Sequence, residues 1–203
     1  MIFKGFFYGV LSTFVSTMFS APLMWSGLFV RNPGTLPDAV KVAFLGAAVP
    51  EESAKLIMLW LLLRKNREFD ERYDGLVYAA CVGLGFACVE NLMYVVSSGD
   101  AWFYVSASRA LFAVPGHFAL AIAMGYYYSK NHFAWYKSTL LDKLKIWLVP
   151  VMLHGIYDTL AFSSHIDPVW SFIITALFIL FCFRLFKFTR RRILVEAEKN
   201  RRS

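Results

Sequence analysis

Apolar residues in this chain run in six long blocks separated by short polar breaks, over residues 6–30, 40–63, 74–97, 102–128, 146–163 and 169–188. A helix needs about 20 mostly apolar residues to cross a bilayer. Backbone polar groups in lipid must be satisfied internally, which leaves helices or a closed barrel. The pattern therefore predicts an all-α, polytopic membrane bundle of about six transmembrane helices. The first block follows Lys4 and is longer than the roughly 7–15-residue core of a signal peptide, so it is expected to stay as an anchor. Pro33, Gly34 and Pro37 break the chain before the second block. Pro50 lies inside that block and is expected to bend it. The third block carries Gly75, Gly83 and Gly85 with Ala79, Ala80 and Ala87, small residues that let helices approach closely. Tyr126, Tyr127 and Tyr128 close the fourth block as an interfacial anchor. One membrane domain over residues 1–190 and a basic tail over 191–203 leave no room for a soluble domain.

Composition sharpens this reading. The chain has 203 residues, 58% hydrophobic and 18% aromatic, with 20 Phe, 10 Tyr and 6 Trp. That aromatic load suits a lipid-facing surface. The net charge of +7 invites a nucleic-acid partner. The basic residues, however, cluster at the ends of apolar blocks, where they determine topology, so no nucleic-acid partner is expected. Loops 64–72 and 129–145 (the latter with Lys130, Lys137, Lys143 and Lys145) and the tail from residue 187 are basic. The breaks after blocks one, three and five hold one, none and none. Both termini are therefore expected in the cytoplasm. Cys81, Cys88 and Cys182 lie in apolar blocks without metal-ligand or redox spacing. They read as small core residues with no disulfide.

Charged residues inside these blocks carry the chemistry, because an ionisable group at membrane depth must be paired, solvated or neutralised. Glu51 and Lys55 are i and i+4 on one helix face, the favourable order for an ion pair. Glu52 is rotated about 100° away and is left without a local partner. Glu90, next to Asn91, lies about four residues past the middle of block three and has no basic residue within one turn. His117 lies slightly inside the middle of block four, with Arg109 about two turns further out. His154 lies near the middle of block five, with Asp158 one turn outward on the same face. Rise per residue of about 1.5 Å puts these groups, on four helices, within about 10 Å of one plane. Scattered structural pairs need not share a depth, whereas a common pocket must.

Each residue has a bland alternative. Glu51 and Lys55 could be a structural pair beside a protonated Glu52. Arg109 could snorkel to the outer surface. His154 and Asp158 could be a structural i, i+4 pair, and His117 a satisfied interior histidine. The functional alternative is water activation, in which a carboxylate in low dielectric takes a proton from water. An imidazole would share the role or stabilise an oxyanion. A divalent metal such as zinc, held by Glu52, Glu90, His117 and His154, would serve the same end, although no HExxH motif is present. A proton- or ion-coupled transporter uses the same residue types. No internal repeat supports that reading.

Several of these residues also fall in recognisable motifs. Glu51, Glu52 and Lys55 resemble the EExxK motif of PrsW-type intramembrane proteases. Phe86 and Glu90, with Asn91, resemble their FxxxE motif. The stretch from Arg109 to His117 resembles the third motif, and His154 with Asp158 resembles HxxxD. The likeness covers about residues 40–160 in motif order. It is more distantly similar to CAAX-processing prenyl endopeptidases and bacteriocin-immunity membrane proteins. A catalytically silent immunity or scaffold protein on this fold is thus a further alternative. The resemblance implies site-1 proteolysis of a single-pass membrane substrate, typically an anti-sigma factor in a stress response, on its extracytoplasmic side. It implies that Glu51, Glu52, Glu90, His117 and His154 are catalytic, with Lys55, Arg109, Asp158 and Asn91 supporting. Metal-bound and glutamate-activated water both stay open.

Overall fold

The computed structural model describes residues 1–134 and 138–201, and all regular structure among them is helical. Lys137, in the basic loop, and Arg202 and Ser203, in the tail, lie outside the described residues. The helices are α1 (Ile2–Trp25), α2 (Leu36–Lys41), α3 (Val49–Leu63), α4 (Arg72–Ser97), α5 (Trp102–Leu111), α6 (Ala113–His132), α7 (Leu140–Ser163) and α8 (Pro168–Asn200). Five stretches are long and apolar enough to cross a membrane: Ile2–Trp25, Arg72–Ser97, Gly99–His132, Leu140–Ser163 and Pro168–Asn200. Large apolar side chains such as Phe3, Phe14, Phe172 and Phe183 point outward, as a lipid-facing surface requires.

The expected second span is the one that departs from a single straight helix. It is helical from Leu36 to Leu63, but residues Val42–Ala48 form a π-helical turn between α2 and α3. Pro50 has no N–H to offer the carbonyl of Gly46, and its ring crowds that carbonyl. The Val49 N–H instead reaches back five residues to the Phe44 carbonyl. This wider turn replaces the expected simple bend, directly before the glutamates. Such bulges are frequent at functional sites.

The fourth block is also two helices rather than one. The ring of Pro115 clashes with a helical carbonyl four residues earlier, at Leu111. Leu111 is where α5 ends, and Phe112 takes φ −120°, ψ −51° between the helices. α1 begins and ends some four or five residues earlier than its apolar block suggests. The three cysteines are free thiols, and Cys88 is exposed rather than in the core.

Caps set the other boundaries. Thr139 and Asp142 form a reciprocal box at the start of α7, hydroxyl to carboxylate 2.6 Å. Asp167 caps α8 just before Pro168, the position where proline suits a helix start. Within the bundle α4 lies against α6 and α1, α7 lies between the π-helical turn and α6, and α8 covers α6 and α7. Leu59, Leu62, Leu63, Tyr78, Val82 and Met124 pack into an apolar core where α3, α4 and α6 meet. α8 continues unbroken through the basic segment, and the Asn200 amide donates to Glu71 at 2.8 Å.

Candidate active site

Five helices deliver the polar residues to one point. α3 begins beside the π-helical turn and presents Glu51, Glu52 and Lys55 in its first two turns, all buried, with Lys55 1% and Glu52 0% exposed. α4 brings Glu90 and Asn91, α5 brings Arg109, α6 brings His117, and α7 brings His154 and Asp158. α7 can come this close because Gly155 faces the Phe44 ring, where a Cβ would stand only 2.3 Å from ring carbons. Trp147 on the same helix donates to the Ser53 hydroxyl at 2.8 Å and ties α7 to α3.

The Lys55 ammonium lies at the centre. It is 2.9 Å from Glu52 Oε1, 3.3 Å from Glu51 Oε2 and 3.1 Å from His117 Nδ1. It also stands 3.9 Å above the Phe86 ring, a cation–π contact. The expected Glu51–Lys55 pair is present, but Glu52 is not left without a local partner. Positions i and i+3 share a helix face as well as i and i+4, and the long Lys55 side chain reaches both carboxylates.

Both histidines are held from behind by a carboxylate. His117 Nε2 is 2.7 Å from Glu90 Oε2, and His154 Nε2 is 3.2 Å from Asp158 Oδ2. The Nδ1 atoms face the centre, His117 toward Lys55 and His154 toward Glu52 Oε1 at 2.8 Å. An outer carboxylate that fixes a ring and turns its other nitrogen to the centre is the usual support of a metal-binding histidine. Arg109 does not snorkel outward. It donates to Glu90 Oε2 at 2.5 Å and to Asn91 Oδ1, and stacks 3.8 Å from the Tyr94 ring centroid.

Glu51, Glu52, His117 and His154 each offer one ligand atom, and these atoms lie within 4.8 Å of one another. Glu90, expected in that set, is instead engaged by Arg109 and His117, and Glu51 joins the group. Three observations fit a divalent cation. The donors are oxygen and imidazole nitrogen, which suit zinc. Glu52 Oε2 is buried without a hydrogen-bond partner among the described residues. Four carboxylates, Glu51, Glu52, Glu90 and Asp158, meet two permanently basic side chains, Lys55 and Arg109, among the described residues, an acid-rich lining that suits a cation.

Sequence reasoning missed Tyr94 and Ser53, and gave Phe86 as a motif residue without its contact to Lys55. Tyr94 and Phe86 lie four residues either side of Glu90, on its helix face, which was a usable signal. Ser53 gave none, because its partner is on a distant helix.

The model of the PrsW family of intramembrane metalloproteases matches residues 1–186. The chain belongs to the PrsW family. It is 35% identical over 166 residues to Protease PrsW of Geobacillus kaustophilus (strain HTA426), covering 80% of this chain and 68% of that protein. Protease PrsW of Bacillus subtilis (strain 168) is 34% identical over 164 residues, covering 78% and 68%. That of Clostridioides difficile (strain 630) is 33% identical over 150 residues, covering 73% and 62%. The chain thus spans about two thirds of the length of the curated relatives it matches. No solved structure matches it. As a PrsW family member the chain is a membrane peptidase, an all-α bundle with a protein substrate.

Proposed function

We propose that the cluster of Glu51, Glu52, His117 and His154 hydrolyses a peptide bond in a single-pass membrane protein, on the extracytoplasmic side. The observation that carries this reading is convergence: residues from distant parts of the chain put four ligand-type atoms within 4.8 Å of one another. A cavity of about 430 Å³ opens onto it, lined by Glu51, Glu90, Arg109 and His154 and reaching Ser164 and His165. The last two belong to a break free of Lys and Arg, which supports access from the outer face. The same reasoning keeps both termini in the cytoplasm of a bacterial plasma membrane, with residues 1–190 as one unit and 191–203 as a basic tail. An anti-sigma factor is the substrate we infer, by way of the family resemblance.

Glu51, His117 and His154 would hold a divalent metal such as zinc, which would polarise the carbonyl and make a bound water acidic. Glu90 and Asp158 orient the two rings. Glu52 has one oxygen engaged by Lys55 and His154 and the other free, so Oε2 is the atom that takes a water proton. The water oxygen bonds to the carbonyl carbon, the proton passes through Glu52 to the departing amine, and the C–N bond breaks. Lys55 holds Glu51 and Glu52 together. Cleavage of a candidate single-pass anti-sigma factor by purified protein in nanodiscs, with and without a chelator, tests this. Proton flux through proteoliposomes without cleavage would point to a transporter, and neither result to a silent scaffold.

A further inference from the structure

α1 carries an unusual stripe for a helix with a lipid-facing side. Thr13, Ser16, Thr17 and Ser20 recur at i, i+3, i+4 and i+7, one face of a helix. On that face Thr13 and Ser16 are buried, Ser20 is half-buried and Thr17 exposed, and all four line one open space. α1 meets α4 closely nearer its N-terminus, where a Cβ on Gly9 would stand 2.1 Å from the Val82 carbonyl and one on Gly85 2.0 Å from that of Phe6. Beyond that contact a cavity of about 870 Å³ separates the two helices, lined by the four hydroxyls and by Glu51 and Glu90. Ligand pockets run to about 1,000 Å³, so this space is large, and it ends on the cluster itself.

We propose that this cavity is the substrate groove of the site. It takes the segment beside the scissile bond as an unwound, extended chain, with hydroxyl oxygens of α1 accepting its backbone N–H groups. The proposal rests on the peptidase reading of the cluster. A carbonyl inside a helix is bonded and shielded, so a chain must unwind before water reaches it. An unwound backbone away from bulk water needs partners for every N–H. Helices spend their own backbone groups internally, and no strand edge exists here among the described residues to pair with a guest. Side-chain hydroxyls are what this wall offers. Ser16 and Thr17 donate to the Thr13 carbonyl at 2.8 and 3.0 Å, and Ser20 to that of Thr17 at 3.4 Å. Each keeps lone pairs free to accept. Thr13 Oγ1 is buried and has no hydrogen-bond partner among the described residues. From Thr13 to Ser20 the helix rises about 10 Å. An extended chain covers that distance in about three residues.

The test uses two fluorescent probes, each a poly-leucine membrane segment with a flanking stretch. One flank is rich in Gly, Ser and Pro, and the other is a stable Ala/Glu/Lys helix. Binding is read by anisotropy in nanodiscs on full-length Glu52→Gln protein, so cleavage plays no part. The unwound probe should bind more tightly than the helical one. Thr13→Val with Ser16→Ala and Ser20→Ala should weaken it about tenfold, as expected for lost hydrogen bonds. Restoring Ser at position 13 should recover part of the loss. Ser20→Trp, which projects into the cavity rather than into a packed contact, should weaken binding as well and guards against misfolding of the triple variant. Equal binding of the two probes, or undiminished binding by the triple and Ser20→Trp variants, overturns the groove. Loss of cleavage in wild-type protein is a separate result, which bears on the peptidase reading.

Discussion

Glu90 on α4 and His117 on α6 meet carboxylate to ring, Oε2 to Nε2, at 2.7 Å. Arg109 closes on the same oxygen from α5. One carboxylate thus aims a histidine and is itself held by a guanidinium. Because His117 Nε2 is occupied in this way, its Nδ1 is the atom turned to the cluster. Glu90→Ala should therefore leave the ligand set intact but loosen His117. Outer carboxylates of this kind are worth about 10–100-fold in metal affinity. Competition with a colorimetric zinc chelator should show that loss, and an unchanged affinity would remove Glu90 from the orienting role.

Glu52→Gln keeps the size of the side chain and its hydrogen bonds to Lys55 and His154 but cannot accept a proton. Cleavage should fall by about 10²–10⁴-fold, the usual worth of a general base. Thermal unfolding in detergent should stay close to wild type. Near-normal cleavage by the folded variant would show that another group takes the proton.

Lys55→Met acts on charge rather than on chemistry. It leaves Glu51 and Glu52 facing each other in a buried site with no ammonium between them. Breaking a buried pair costs about 3–5 kcal/mol. The metal-free variant should unfold well below the wild type, and added zinc should restore part of the loss by supplying a cation to the same carboxylates. A variant as stable as wild type without metal would mean that the ammonium does not hold the pair.

Gly85→Val places a side chain where the Phe6 carbonyl of α1 already lies. Overpacking typically costs about 1–3 kcal/mol. The variant should lose thermal stability, whereas the same substitution at Gly34, whose Cβ would meet nothing within 4 Å, should not.

Orientation can be read with thiols. In a protein stripped of Cys81, Cys88 and Cys182, cysteines placed at Ser98 and Ser164 should label from outside with an impermeant reagent. A cysteine at Lys137 should label only after the membrane is opened. The opposite pattern would turn the bundle over and put the cavity beside the cluster on the cytoplasmic side.

The sequence by itself determined the class and the candidates. Block length and hydropathy decide that helices cross lipid, since nothing else of about 20 apolar residues satisfies its backbone there. Depth within each block then brought Glu51, Glu52, Glu90, His117 and His154 to one plane. Depth is a coordinate along a helix, however, and says nothing of rotation about it or of which neighbour it faces. Tertiary packing alone decided that Lys55 binds Glu52 as well as Glu51, that Arg109 turns inward to Glu90, and that Glu51 replaces Glu90 among the clustered donors. It also decided the π-helical turn at Val42–Ala48 and the break at Phe112. Proline marks where a helix is disturbed, but the surrounding helices select how the freed backbone groups are satisfied. The cavity between α1 and α4 is likewise a property of two helices that touch at Gly9 and Gly85 and leave space beyond, a relation that neither helix carries in its own residues.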